Sequence, residues 1–148
     1  MLVKGNSTLD LPIQQVWKHI LDRSILESVT PGITELKELE PNKYEAISDI
    51  KLGPVKGSFK GKLNVHDICE SESFVLSLVQ NSNIGSAQAD IEVMLKSNGD
   101  QTEVVYSGKA NLTGVLGRLG QRVLGGVVNS LAKQFFGDFE KKVKEIDK

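Results

Sequence analysis

Residues 114–146 carry the most regular pattern in this chain, GVLGRLGQRVLGGVVNSLAKQFFGDFEKKVKEI. Apolar side chains recur every three or four residues and no proline interrupts them, which predicts one long amphipathic helix. The predicted apolar stripe consists of Leu116, Leu119, Val123, Val127, Leu131, Phe135, Phe139, Val143 and Ile146. The segment also contains Gly117, Gly120, Gly125, Gly126 and Gly137, although each glycine costs a helix about 1 kcal/mol relative to alanine. Such glycines could allow close backbone packing, leave room for a ligand or let the helix bend.

Upstream of this segment the pattern changes from helical to extended. A short strand at 3–9 precedes two short helices, one beginning at Pro12 and one near Asp22, and the turn Thr30-Pro31-Gly32 ends them. Six strands are predicted at 33–39, 44–50, 55–69, 74–80, 86–95 and 103–112. Because short turns join them, they form an antiparallel meander whose apolar face only the C-terminal helix is long enough to cover. The predicted fold is therefore α+β, with a sheet of about seven strands and a long C-terminal helix.

Length and composition are those of an ordinary globular protein. The 148 residues carry a formal net charge of −1 and are 39% hydrophobic, which fits one domain over residues 1–148 and argues against nucleic acid as a partner. Cys69 is the only cysteine, so we expect no internal disulfide and a cytoplasmic location. No apolar stretch is long enough to span a bilayer, although peripheral contact with the inner face of the membrane stays open.

Three segments carry a resemblance to a known family: Leu26–Gly32 (LESVTPG), Leu52–Leu63 (LGPVKGSFKGKL) and Gly114–Gly120 (GVLGRLG). With the order of elements, they make the chain similar to the START-like superfamily, also called SRPBCC or Bet v 1-like. Within it, the chain most resembles the carbon monoxide dehydrogenase CoxG family. The resemblance implies a helix-grip fold, in which a curved sheet wraps around the last helix and encloses an apolar cavity. Unlike some members, this chain ends in a charged run from Glu140 rather than in an apolar tail, so we do not expect it to be permanently membrane-anchored.

The resemblance also implies a function as an accessory protein to a carbon monoxide dehydrogenase-type molybdenum hydroxylase. That role would be membrane recruitment or coupling to an electron acceptor, with a lipid or an isoprenoid quinone as the apolar guest. We expect no cofactor, no metal site and no catalysis. His66 and Cys69 are three residues apart and Asp67 is adjacent to His66, so in a regular strand both would face away from the histidine.

The predicted ligand-binding residues are small or apolar positions on strand faces and on the helix stripe: Phe59, Leu63, Val65, Leu76, Ala87, Ala89, Ile91, Tyr106, Ala110, Leu119, Val123 and Val127. Arg118 and Arg122, one predicted helical turn apart, could form with Lys109 a basic patch for acidic lipid headgroups or a protein partner.

Other interpretations stay open at this point. The apolar positions could fill a solid core and the basic patch could be an ordinary solvated surface. A cyclase- or aromatase-like enzyme would need polar groups that converge in the cavity, for which His66, Asp49 and Asp90 are the candidates. An adaptor or assembly factor would have a filled core and no ligand.

Overall fold

The computed structural model describes the whole chain, Met1–Lys148. Its strands are β1 (Leu2–Leu9), β2 (Ile33–Glu40), β3 (Lys43–Leu52), β4 (Val55–Cys69), β5 (Ser73–Ser82), β6 (Gly85–Asn98) and β7 (Gln101–Leu112). They form one antiparallel sheet in the order β1-β7-β6-β5-β4-β3-β2. Strands β2 to β7 follow each other as hairpins, and β1 pairs with β7 at the far edge. The predicted meander and the α+β helix-grip fold are confirmed.

Two short helices follow β1, α1 (Ile13–Ile20) and α2 (Arg23–Val29). Pro12 occupies the N-cap position of α1. The Asp22 carboxylate caps α2 by accepting a hydrogen bond of 3.1 Å from the Ile25 backbone N–H. This bond satisfies one of the backbone donors that a helix start leaves free.

The predicted single helix over 114–146 is wrong in one respect, because the segment forms two helices. They are α3 (Gly114–Arg118) and α4 (Gly120–Ile146). Gly120 has a φ of +86°, which a continuous α-helix cannot contain and which glycine adopts without a steric penalty. We call residues 113–124, which include this break, the elbow.

Two positions of the predicted apolar stripe lie near the ends of α4 and are exposed. Val123 and Ile146, predicted to face inward, are 41% and 49% exposed. Leu124 is buried instead. The buried positions of α4 are Leu124, Phe136, Phe139 and Val143.

Two hydrophobic clusters join the sheet to the helices. The larger one, of 21 buried residues, joins the sheet, α1, α2 and the C-terminal half of α4, and Phe139 and Val143 are completely buried in it. The smaller one contains Val55, Phe59, Leu116 and Leu124, and it attaches the elbow to β4. The two ends of the C-terminal segment are therefore held by cores of very different size.

Candidate functional site

The predicted sheet residues share the inner face of the sheet, the side that α4 covers. Directly paired residues of antiparallel strands lie on the same face, and the register pairs Leu63 with Leu78 and Leu78 with Ala89. The same inner face carries Phe59, Leu63, Val65, Leu76, Ala87, Ala89, Ile91, Tyr106 and Ala110. The structure therefore brings these nine predicted residues together on one surface.

Part of this surface is not fully covered. Leu63, Leu76, Leu78 and Ile91 are only half-buried although they face the core side of the sheet. The backbone of α4 comes nearest to β1, at one edge of the sheet, and to α1 and α2, of which α2 packs on β2 at the opposite edge. In the middle of the sheet, only side chains of α4 and of the strands come into contact. A tightly filled core would have buried the leucines named above.

The helix contributes a matching set of half-buried apolar side chains. They are Val127, Val128, Leu131, Ala132 and Phe135. Of the predicted helix positions, Leu119 and Val127 pack against the smaller cluster, whereas Val123 points to solvent. Val128, Ala132 and Phe135 pack against the larger cluster, as do the half-buried leucines of the sheet.

Gln80 is a polar residue on this inner face that the sequence patterns above did not single out. It follows Leu76 and Leu78 in the alternation of β5 and pairs with Gly61 on one side and Ala87 on the other. Its side-chain Nε2 is buried and has no hydrogen-bond partner. The signal was present in the sequence, because Gln80 continues the inward-facing positions of a strand whose other inward positions are apolar.

A second opening lies at the sheet edge between β1 and α4. This crevice has a volume of about 500 Å³, and its walls are Lys4, Gly5, Asn6, Ser7, Tyr106, Asn129, Ala132, Lys133 and Phe136. Tyr106 stacks on Phe136 with ring centroids 6.2 Å apart. Burial raises the pKa of the Tyr106 hydroxyl above its ordinary value. The volume of the crevice lies in the range of small-molecule sites.

The family model of the carbon monoxide dehydrogenase component CoxG matches residues 5–144. The chain belongs to the CoxG family. No protein of curated function matches the sequence. The family is one of accessory subunits, and this member has the START-like fold that the sequence predicts.

Solved structures agree with the CoxG assignment at the level of fold. A conserved protein from Geobacillus kaustophilus is 27% identical, with a TM-score of 0.93 over 98% of this chain and 96% of that one. A START superfamily protein from Mycobacterium smegmatis is 12% identical, with a TM-score of 0.77 over 98% of each chain. The Zhui aromatase/cyclase from Streptomyces sp. R1128 is 10% identical, with a TM-score of 0.69 over 100% of this chain and 96% of that one.

The glycines of this CoxG-family chain fall into two groups. A Cβ atom on Gly117 would lie 2.7 Å from the carbonyl oxygen of Leu112, so close packing requires glycine there. A Cβ on Gly126 or Gly137 would meet nothing within 4 Å, and one on Gly125 would meet only the Gln121 side chain at 3.9 Å. Close packing therefore explains Gly117 in α3 but not the glycines inside α4.

The predicted basic patch is rearranged by the elbow. Arg118 lies in α3 and Arg122 in α4, so the break at Gly120 removes the one-turn spacing that a single helix would give. Both are exposed and neither forms an ion pair, whereas Lys109 lies on the outer face of the sheet opposite Asp90. No acidic residue occurs between Glu103 and Asp138. The elbow is thus a cationic surface, and the exposed Val115 and Val123 add apolar area to it.

A chain of polar contacts crosses the outer face of the sheet. His66 Nδ1 lies 2.9 Å from Asp67 Oδ2, His66 Nε2 lies 2.7 Å from Ser77 Oγ, and Ser77 Oγ donates to Asp90 Oδ1 at 2.5 Å. The prediction that Asp67 faces away from His66 is wrong. Asp67 has a φ of +50° at an irregularity of β4, and this turns its carboxylate back toward the imidazole.

The candidate polar groups of an enzyme do not meet at the inner face. His66 and Asp90 belong to the outer-face chain, and Asp49 accepts a hydrogen bond of 2.8 Å from Ser58 on the same outer face. No three His, Cys, Asp or Glu side chains are grouped so as to hold a metal ion. No helix of the protein has the length and apolar character needed to cross a membrane.

Proposed function

We propose that this protein is a non-catalytic carrier of an apolar ligand, held between the inner face of the sheet and α4. The observation that carries the proposal is the set of half-buried leucines and isoleucine in the middle of the inner face. The proposed contacts are the inner-face residues already named, together with Leu119 and Val127 on the helix side. A ligand that covered them would gain roughly 25 cal/mol per Å² of apolar area removed from water.

The proposed ligand is a lipid or a quinone-like molecule. Membership of the CoxG family supports an accessory role beside a carbon monoxide dehydrogenase-type molybdenum hydroxylase. A quinone suits such a role because it is apolar, resides in membranes and accepts electrons. The side chains that face each other between sheet and helix are mostly apolar, which suits the ring and isoprenoid tail of that class.

The elbow is the proposed site of membrane contact. Arg118 and Arg122 are exposed and unpaired, and each basic side chain near an anionic lipid surface is worth about 1 kcal/mol. The exposed Val115 and Val123 lie within the same segment and could enter the headgroup layer. Contact at this end would place the smaller cluster, and the inner face beneath it, close to a lipid source.

Native mass spectrometry of the purified protein, followed by organic extraction, tests the carrier function directly. We expect a stoichiometric apolar molecule that is lost on extraction. A clean apoprotein that also fails to bind added quinone or phospholipid at micromolar concentration would contradict the proposal. Pull-down of a molybdenum hydroxylase by such an empty protein would favour the alternative function, an adaptor without a ligand.

Vesicle sedimentation tests the membrane role separately. The double variant Arg118→Gln/Arg122→Gln should lose binding to vesicles that contain phosphatidylserine, about tenfold at low salt. The matched control is Lys60→Gln/Lys62→Gln, which removes the same charge from the exposed outer face of β4. Equal loss of binding in both variants would show a general charge effect and would contradict membrane contact at the elbow.

A further inference from the structure

The side-chain amide of Gln80 is exceptional within this molecule. Among all buried side-chain nitrogen and oxygen atoms, its Nε2 is the one without a hydrogen-bond partner. Buried donors in folded proteins are nearly always paired, because an unpaired N–H has lost water and gained nothing in return. An isolated exception on the inner face therefore points to a partner that the chain itself does not supply.

The residues paired with Gln80 across the sheet are small. Gln80 belongs to a cross-strand row in which its neighbours are Gly61 and Ala87, and Gly61 in turn pairs with Ala46. A Cβ on Gly61 would collide with the carbonyl oxygen of Val79, so no larger side chain can occupy that position. Gln80 is thus a long polar side chain whose two directly paired neighbours, Gly61 and Ala87, carry at most a methyl group.

The next row toward the centre of the sheet contains the half-buried Leu63 and Leu78. Gln80 therefore lies one inward-facing position from the half-buried leucines on which the carrier function is proposed. Gln80 as a whole is half-buried, although its Nε2 is covered. The terminal amide torsion is broad and roughly two-fold, so a half-turn about it exchanges the positions of Nε2 and Oε1.

We propose that Gln80 Nε2 donates a hydrogen bond to a carbonyl oxygen of the bound apolar ligand and so selects ligands that carry such an acceptor. The inference rests on the proposed carrier function and deepens it by naming a group on the ligand. A site with a single buried donor in apolar walls discriminates strongly, because a ligand without an acceptor leaves that donor unpaired. The ligand class is then an apolar ketone, ester or quinone rather than a plain hydrocarbon.

A matched pair of probes tests this selection, 2,3-dimethyl-1,4-naphthoquinone and 2,3-dimethylnaphthalene. The two molecules have the same carbon skeleton and differ in the ring carbonyls. Full substitution of the quinone at positions 2 and 3 hinders addition of the exposed Cys69 thiol. Affinities of both probes are measured by fluorescence titration for the wild type, for Gln80→Leu and for Gln80→Met, which keeps the length of the side chain.

In both variants, we expect the ratio of quinone affinity to hydrocarbon affinity to fall by about tenfold. Their affinity for the hydrocarbon should be at least that of the wild type. The control is Gln88→Leu, a glutamine exposed on the outer face of β6, which should leave the ratio unchanged. The melting temperature of Gln80→Leu should not fall, because the substitution removes an unpaired buried donor.

Two results would overturn the inference, and they differ in whether the proposed carrier function also fails. If the wild type binds both probes and neither Gln80 variant changes their ratio, Gln80 does not contact the ligand, while the carrier function stands. If the wild type binds neither probe, nor extracted lipid, the carrier function fails and the role of Gln80 fails with it.

Discussion

The C-terminal half of α4, from Ala132 to Ile146, is held far more firmly than the half from Gly120 to Leu131. Three of its aromatic and aliphatic side chains are buried, and Glu140 accepts a hydrogen bond of 2.6 Å from the backbone of Asp10. The N-terminal half buries only Leu124 and is tied to β1 through the side chain of Gln121. One helix therefore combines an anchored end with a weakly held one.

The glycines follow the same division. Gly125 and Gly126 lie in the weakly held half, and neither is required there by close packing. Each lowers helix stability by about 1 kcal/mol relative to alanine. The elbow is joined to the sheet by the smaller cluster, by the backbone hydrogen bond of 3.1 Å that Leu116 N–H donates to the Ile84 carbonyl oxygen, and by Gln121.

The largest expected effect comes from the anchored half. Phe139→Ala should lower the free energy of unfolding by about 3–5 kcal/mol, because the ring is completely buried and leaves a cavity. Val123→Ala, at an exposed position in the other half, should change it by less than about 0.5 kcal/mol. Urea denaturation measures both, and comparable losses would contradict the division of α4.

Leu124→Ala, in the smaller cluster, should lower the free energy of unfolding by less, about 2 kcal/mol. The increase in hydrogen exchange should be confined to the part of the C-terminal segment near Leu124, because Leu124 packs in the smaller cluster of four residues and not in the larger one. Hydrogen exchange followed by mass spectrometry should show faster exchange in residues 113–131 and little change in 132–146. Faster exchange along all of α4 would mean that the two halves unfold together.

Stabilisation is expected where a glycine of α4 faces open space. Gly126→Ala should raise the free energy of unfolding by up to about 1 kcal/mol, because a methyl group there meets no neighbour. Gly117→Ala is the matched control and should destabilise, since its Cβ would lie 2.7 Å from the Leu112 carbonyl oxygen. The melting temperatures of the two variants should shift in opposite directions. A lower melting temperature in both would contradict the open space that the structure has beside Gly126.

The smallest expected effect is on the pH dependence of stability, through Asp147 at the C-terminal end of α4. Burial acts to raise the pKa of Asp147, but hydrogen bonds from His19 and Gln15 outweigh it, and the net pKa is lowered. A carboxyl group with a lowered folded-state pKa stabilises the fold above its unfolded pKa of about 3.9 and loses that contribution as pH falls through the folded value.

Asp147→Asn should therefore be less stable than the wild type at pH 7, with the difference vanishing as the pH falls below about 4. Asp100→Asn, at an exposed turn, is the control and should show no such trend. A constant difference between Asp147→Asn and the wild type from pH 7 to pH 3 would contradict the lowered pKa.

Regular patterns made much of the fold predictable from sequence. The alternation of Ala87, Ala89, Ile91, Val93 and Leu95 placed these residues on the inner face of β6, where the structure has them. The helical spacing of Phe135, Phe139 and Val143 identified the C-terminal helix for the same reason. In each case the period of the side chains is a direct consequence of the backbone geometry.

The exceptions arise at single residues with unusual backbone angles or unusual neighbours. Gly120 and Asp67 both adopt a positive φ, which spacing rules do not register. The first divides the predicted helix into two, and the second turns the Asp67 carboxylate toward His66. The isolation of Gln80 depends on which residues face it across two neighbouring strands, and this register is known only once the sheet is assembled.

The most direct test of the central claim is hydrogen exchange along α3 and α4, with and without 2,3-dimethyl-1,4-naphthoquinone bound. We predict faster exchange in residues 113–131 than in 132–146 for the free protein, and slower exchange in 113–131 once the ligand fills the gap beneath them. Uniform exchange along α4 that the ligand leaves unchanged would contradict both the weakly held elbow end and the binding of an apolar ligand beneath it.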